Sequence, residues 1–362
     1  MTILYVLLAL LLLGILIIVH EGGHFLGARL TGIPVREFSI GFGPKLLERK
    51  SRKHDTNFVL RAIPAGGYCA FYGEDDPNAE EKDDERSMTR FPVWKRIVTV
   101  FMGPGMNFIL ALIVAFGYFV VMGEATGVEY GRPVITEVTE DGPAREAGML
   151  GGDIITEVNG KSAGGLDENG NTILSGILSV WQEGDSPIAV TVERGGAQET
   201  LTVTPRWSDD LKGMAIGIIY QMEAWYTFSP VGPGRALQLS AGYCVEAGGA
   251  ILGSLKRLVT TGEGIEDTGG PIRIIQVVTE ETPENGFWAY ISLLILISVN
   301  LGLMNLLPIP GLDGSRILFL AVEGVLRRPV NRKVETYIHL SGYVLLIGLF
   351  AVLTYRDILN LF

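Results

Sequence analysis

Seventeen uncharged residues, 3–19, run directly into His20-Glu21-Gly22-Gly23-His24, and apolar residues dominate again over 25–30. No other feature restricts the fold as strongly. An apolar stretch of this length can enter or cross a bilayer, and it does so as a helix because lipid offers the backbone no hydrogen-bond partners. On a helix, histidines at i and i+4 share one face and are spaced to grip a single zinc ion. The glutamate between them is then set to take a proton from a water that the metal activates. Ionisable side chains inside a membrane span are costly and usually functional. The plainer alternative is that His20, Glu21 and His24 only end the helix at the membrane interface. The run is read as a retained first transmembrane helix, since no basic segment precedes it and no A-x-A-like cleavage site follows it.

Three further apolar blocks are long enough to span, about 94–122, 288–307 and 337–355, against about 3–28 for the first. A mean hydropathy of +0.32 over 362 residues fits a multi-pass α-helical membrane protein, with about four transmembrane helices, that also carries a soluble insert. The net charge of −11 argues against nucleic acid as a partner. Cys69 and Cys244 are too few for a disulfide framework and read as isolated thiols.

Basic residues set the expected orientation. Arg29, Arg36, Lys45, Arg49, Lys50, Arg52 and Lys53 follow the first block, Lys95 and Arg96 flank the second, and Arg316, Arg327, Arg328, Arg332 and Lys333 separate the third from the fourth. Residues 124–210 instead carry sixteen Asp and Glu against five Lys and Arg. The positive-inside rule therefore predicts loops 29–93 and 308–336 in the cytoplasm, with both termini and the acidic insert outside. His20 and His24 then lie toward the cytoplasmic end of their helix.

The chain divides into four expected regions. The first membrane half, 1–122, holds the first helix, a β-rich cytoplasmic loop over 35–72 lying against the membrane, an acidic solvated linker over 74–90, and the second helix. Residues 127–206 alternate short β-type runs with turns, include a short helix over 142–149, and place Asn159-Gly160 as a hairpin turn. Residues 207–286 connect, with an amphipathic helix over 230–262 expected on the outer membrane surface. The second membrane half is 287–362.

The second half holds Asn305-Leu306-Leu307-Pro308-Ile309-Pro310-Gly311-Leu312-Asp313-Gly314. Two prolines end the helix there, and irregular backbone at membrane depth is tolerated only inside protein or along a wet cavity. Asp313 sits just past the break, where an unpaired carboxylate is unfavourable. Two imidazoles, one carboxylate and a free fourth position make the open pattern of a catalytic zinc. The alternative is a Pro-Gly turn with an aspartate cap.

Together HEGGH and NLLPIPGLDG resemble the site-2 protease family of intramembrane zinc metalloproteases, in particular bacterial enzymes of the regulator-of-sigma-E protease type with a single PDZ domain. The GFGP loop, the PAGGY segment, MGPGMN at 102–107 and the C-terminal helix extend the likeness over essentially the whole chain. Residues 143–162 resemble the PDZ domain of bacterial proteases, so the insert is expected to be an extracytoplasmic PDZ-like α+β domain. Gly22 departs from the pattern, since many relatives carry a bulkier residue there.

The resemblance implies that His20, His24 and Asp313 ligate one zinc ion, that Glu21 is the catalytic acid/base, and that Asn300 and Asn305 hold unwound substrate or the oxyanion. Asn107 matches a family position too, with helix packing as its alternative. It implies a bacterial plasma-membrane enzyme acting on single-span membrane proteins, such as anti-sigma factors or remnant signal peptides, some trimmed by an earlier protease. A substrate helix hides its carbonyls in hydrogen bonds, so the loop at 56–72 is expected to offer an edge strand that pairs with the unwound segment. The PDZ-like insert is expected to exclude bulky substrates. Two other readings are a catalytically silent PDZ-bearing scaffold and a metal transporter. The intact ligand set argues against the first. The second needs more intramembrane carboxylates or histidines than His339 alone.

Overall fold

The computed structural model describes residues 2–52, 55–73, 84–167, 170–209, 211–262, 269–328 and 330–359. The chain forms two compact units, one from Met1–Val121 with Val231–Phe362 and the other from Met122–Pro230.

In the first unit, four helical stretches among the described residues are long and apolar enough to cross a membrane: Ile3–Thr31, Val93–Met122, Gly286–Leu306 and Val334–Leu359. They coincide with the four apolar blocks. Helix α1 (Thr2–Thr31) stops where Gly32 takes positive φ and the Ile33 N–H bonds back to the Ala28 carbonyl at 2.9 Å. That is a left-handed glycine closing a helix, with Pro34 barring its continuation. Strands β1 (Val35–Lys50) and β2 (Asn57–Phe71) follow, within the expected 35–72. Glu37 and Phe38 have partners on both sides, Asn57 and Phe58 on one and Ala70 and Cys69 on the other, while residues 45–50 pair with 57–61. Residues 67–71 are therefore paired on one side only among the described residues.

The solvated linker expected over 74–90 stops short of Met88. This apolar residue is buried among Ala28, Ile33, Val35, Phe71, Val100 and Leu320, and it opens a short 3-10 turn (Met88–Arg90). Residues 74–83, like Lys53, lie outside the described residues.

Helix α2 (Val93–Met122) follows the turn. Two short helices, α3 (Pro143–Glu146) and α4 (Ile173–Val180), belong to the second unit. Helix α5 (Pro233–Thr261) is closed by left-handed Gly262. Its Cys244, Ala247 and Ile251 pack against Ala111 and Ala115 of α2 and against Ile295 and Val299. Those last two belong to α6 (Pro271–Leu306), which extends well before the apolar block but is broken at Gly286, with φ 73° and ψ −167°. Ala9, Leu12 and Leu16 of α1 pack on Tyr290 and Leu294 of α6. Lipid gives two apolar helices no hydrophobic reason to associate, so close van der Waals fit and hydrogen bonds hold them. Tyr290 Oη donates to the Leu8 carbonyl at 3.1 Å, and Ser298 Oγ donates to the Asn107 carbonyl at 2.8 Å. Helix α7 (Asp313–Leu326) and helix α8 (Arg332–Leu359) complete the unit.

The second unit is a β-sheet with strand order β10-β3-β4-β6-β7 and β5 paired to β4. Its strands are β3 (Glu124–Val138), β4 (Ile154–Val158), β5 (Lys161–Ser162), β6 (Ile188–Arg194), β7 (Ala197–Val203) and β10 (Ile218–Ser229); β8 (Arg206–Ser208) and β9 (Gly213–Ala215) pair separately. Helices α3 (Pro143–Glu146) and α4 (Ile173–Val180) fall between strands. Asn159 and Gly160, both at positive φ, make the tight turn from β4 to β5. Val190 and Val192, alternating along β6, point into one core with Ile155 and Val158 of β4, which lie on either side of a register shift, and with Ile135, Met149, Leu174 and Trp181, each large apolar side chain contributing roughly 1.5–3 kcal/mol by burial. The unit is wider than the expected 127–206, because β10 pairs along most of β3, from Ile218 opposite Val138 to Ser229 opposite Glu124.

Candidate metal centre

Helix α1 carries His20 and His24 one turn apart, their rings edge to face with centroids 4.9 Å apart. Asp313 reaches them from the first turn of α7. Its Oδ2 lies 3.1 Å from His20 Nε2 and 3.3 Å from His24 Nε2. One donor atom from each of the three residues falls within 4.8 Å of the other two, and both histidines are buried. Asp313 is not the helix cap: Leu312 holds that position, and Ser315 Oγ donates to its carbonyl at 2.8 Å.

The second nitrogens of both imidazoles are occupied by α2. A carbonyl can only accept, so His24 Nδ1 donates to the Thr99 oxygen at 3.1 Å. In the neutral ring this leaves an electron pair on Nε2, facing a carboxylate oxygen. Two acceptors at 3.3 Å hold together only through a proton or a cation, so the donor set fits a divalent metal of zinc type. At His20, Asn107 Nδ2 donates to Nδ1 at 3.1 Å, and Asn107 Oδ1 is then buried without a partner among the described residues. The reversed amide puts its oxygen there to accept from Nδ1–H, which frees Nε2 for a metal.

Glycines make this approach possible. A Cβ on Gly23 would overlap the Met102 carbonyl, one on Gly27 would come 2.9 Å from Met102 Cβ, and one on Gly103 would overlap the His24 ring. The second glycine of HEGGH and the first of MGPGMN therefore let the two helix backbones meet, as small residues do in membrane bundles. A Cβ on Gly22 would meet nothing within 4 Å.

Glu21 sits beside the three donors and accepts a hydrogen bond from the Cys69 backbone in β2. The one-sided segment 67–71 of β2 thus passes directly by the glutamate, and a Cβ on Gly67 would lie 3.5 Å from Glu21 Cγ. Asn300 is exposed and Asn305 half-buried, and no side-chain hydrogen bond of either is recorded among the described residues. Sequence reasoning missed Thr99, because a backbone carbonyl leaves no trace in residue type.

A helix-borne histidine pair completed by a distant aspartate, within four bilayer-length helices, defines a membrane-embedded metallohydrolase. The chain belongs to peptidase family M50, whose sequence pattern matches residues 8–349. A protein of Mesorhizobium japonicum whose name carries the words zinc metalloprotease is 33% identical, over 96% of this chain and 97% of its own. The zinc metalloprotease RasP of Geobacillus kaustophilus is 30% identical over 96% of each chain, and the regulator of sigma-W protease RasP of Bacillus subtilis is 29% identical over 97% of each. The chain is a zinc metalloprotease.

Proposed function

We propose that the protein is an intramembrane endopeptidase that hydrolyses a peptide bond within the transmembrane segment of single-span membrane proteins. The observation that carries this reading is the convergence of His20, His24 and Asp313, from two segments distant in sequence, beside Glu21 on an apolar helix. His20 Nε2, His24 Nε2 and an Asp313 oxygen hold one zinc ion, with Asn107 and the Thr99 carbonyl orienting the imidazoles. Zinc, when bound, supplies the Lewis acidity that activates water and polarises the scissile carbonyl. Glu21 takes the proton released as water adds to that carbonyl and returns it to the departing amine. Its bond to the Cys69 backbone aims the carboxylate across the edge of β2.

The unwound substrate adds to residues 67–71 as a further strand, exposing its carbonyl carbon to attack. Asn300 and Asn305 contact the substrate or the oxyanion only once it is bound. The second unit is an extracytoplasmic PDZ-like domain that limits access by substrates with bulky outer parts. Both termini lie outside, and Glu21 lies toward the cytoplasmic side. Membrane-bound anti-sigma factors and remnant signal peptides are the substrate classes in view.

The test is cleavage of a transmembrane peptide by purified protein. Glu21→Gln is expected to abolish turnover while zinc stays bound, and turnover at the parent rate would overturn the mechanism. Membrane proteomics of cells carrying Glu21→Gln identifies the substrates as single-span proteins that accumulate.

A further inference from the structure

We propose that His339 of α8 is a positioning residue for the metal centre, setting the place of Asp313 by holding the backbone two residues ahead of it. This rests on the reading of Asp313 as a zinc ligand. Asp313 follows a six-residue non-helical connection, 307–312, between α6 and α7. Such a connection is the least constrained way to hang a ligand, so something must fix it.

One of its backbone donors bonds to α8. Pro308 and Pro310 have no N–H. Of the four remaining donors, three bond locally: Leu307 to the Met304 carbonyl at 3.1 Å, Ile309 to Leu307 at 2.8 Å, and Leu312 to Ile309 at 3.1 Å. The fourth, Gly311, donates to His339 Nδ1 at 3.3 Å, a side chain from another helix. A ring nitrogen that accepts must be unprotonated, so the proton of neutral His339 is on Nε2, which has no partner among the described residues. Phe319 of α7 flanks the imidazole with centroids 5.5 Å apart.

The same face of α8 grips the connection by shape. A Cβ on Gly342 would overlap the Pro310 carbonyl, so the helix backbone lies directly on the loop. A Cβ on Gly311 would come 3.1 Å from Leu346 Cδ1 and 3.4 Å from the Tyr343 nitrogen, and its φ of +95° already disfavours any other residue. Positions 339, 342, 343 and 346 are i, i+3, i+4 and i+7, one stripe of a helix. The fourth span therefore acts as a backing plate, with one hydrogen bond and one close glycine contact fixing the ligand-bearing turn from behind. Outer partners of this kind typically alter metal affinity by about 10–100-fold.

The experiment measures zinc affinity of the full-length protein by chelator competition, and the absorption spectrum of the cobalt-substituted form. His339→Leu removes the acceptor, and Gly342→Ala pushes the loop. Each is expected to weaken zinc binding by about 10–100-fold and to change the cobalt spectrum. His339→Asn keeps an acceptor near the Nδ1 position and is expected to restore both. Gly348→Ala, on the same helix with nothing within 4 Å, is the control and stays at the parent value. Parent-like zinc affinity and spectrum in His339→Leu, or no rescue by His339→Asn, would overturn the proposal. Should His339→Leu fail to run as a single species on gel filtration, parent-like affinity in Gly342→Ala does the same. Asp313→Ala separates the two levels. If it keeps zinc, the ligand assignment falls; if it loses zinc while His339→Leu keeps it, only the positioning role falls.

Discussion

Gly103 lies so close beneath His24 that a single added carbon would overlap the imidazole. The contact couples helix packing to metal geometry, since the atoms that would be displaced include His24 Nε2. Gly103→Ala is expected to lower zinc content and to cost about 1–3 kcal/mol of stability through overpacking. Gly105→Ala, which would meet only Phe101 at an ordinary 3.4 Å, is expected to melt with the parent. Thermal melting and metal analysis of the two variants decide the matter, and equal behaviour would refute the coupling.

Asn107 offers a test of which end of its amide faces His20. Asn107→Leu removes the partner of Nδ1 and is expected to reduce zinc affinity about 10–100-fold. Asn107→Asp provides only acceptors and is expected to retain the metal, because it takes the proton of Nδ1 as the reversed amide does. The Ser298 bond to the residue 107 carbonyl is made to backbone and survives either change. If the Leu variant kept zinc and the Asp variant lost it, the orientation inferred for the ligand ring would be wrong.

Arg96 at the start of α2 donates through Nη1 to both carboxylate oxygens of Glu323 on α7, at 2.9 and 3.0 Å, with both side chains largely buried. The pair ties the helix that orients the histidines to the helix that presents Asp313. Replacing either partner by alanine leaves a charge in a poorly solvated place and is expected to cost on the order of 3 kcal/mol. Replacing both should cost less than the two single losses added together. Strict additivity in melting experiments would show that the pair does not act as a unit.

In the second unit the carboxyl of Asp153 is held below the usual carboxylate range by the Arg194 guanidinium, helped by the Leu150 N–H and opposed by burial. The two side chains meet through two bonds of 2.7 Å each. A folded-state value below that of the unfolded chain means the contribution is complete above about pH 4. It is lost as the pH falls through the lower, folded-state value. Amide exchange in β4 and β6, corrected for intrinsic rates, is expected to speed up in that acid range. The loss should be on the order of 2 kcal/mol at most, since Arg194 is part-exposed and solvent screens it. Asp153→Asn should flatten the acid dependence, and an unchanged slope would contradict this account.

Much of the centre was legible because membranes leave few ways to place polar groups. The bilayer-length runs gave the four spans, the i and i+4 histidines gave one face, and Pro308 and Pro310 marked the break that delivers Asp313. The contributions from α2 and α8 were harder to read. The Thr99 oxygen belongs to the backbone and could come from any residue, while Asn107 stood open between packing and function. The role of Gly311 and His339 depends on the chain folding back over a separation of 28 positions. Pairing of β10 with β3 was hidden for a similar reason: the partners lie about 80 to 105 residues apart, so the second unit is wider than its motif. Met88 left the acidic linker for the core because it is apolar and adjoins the second span.

The close approach of α1 and α2 has a mechanical consequence. With no side chain between Gly23 and the Met102 carbonyl, sliding one helix along the other would drive backbone into backbone. The contact holds the two helices in one register, and Glu21 rides with the helix that carries Thr99 and Asn107. On the reading proposed above, an incoming helix enters on the flank where β2 passes Glu21, away from this contact, so a covalent tether between α1 and α2 should leave turnover untouched.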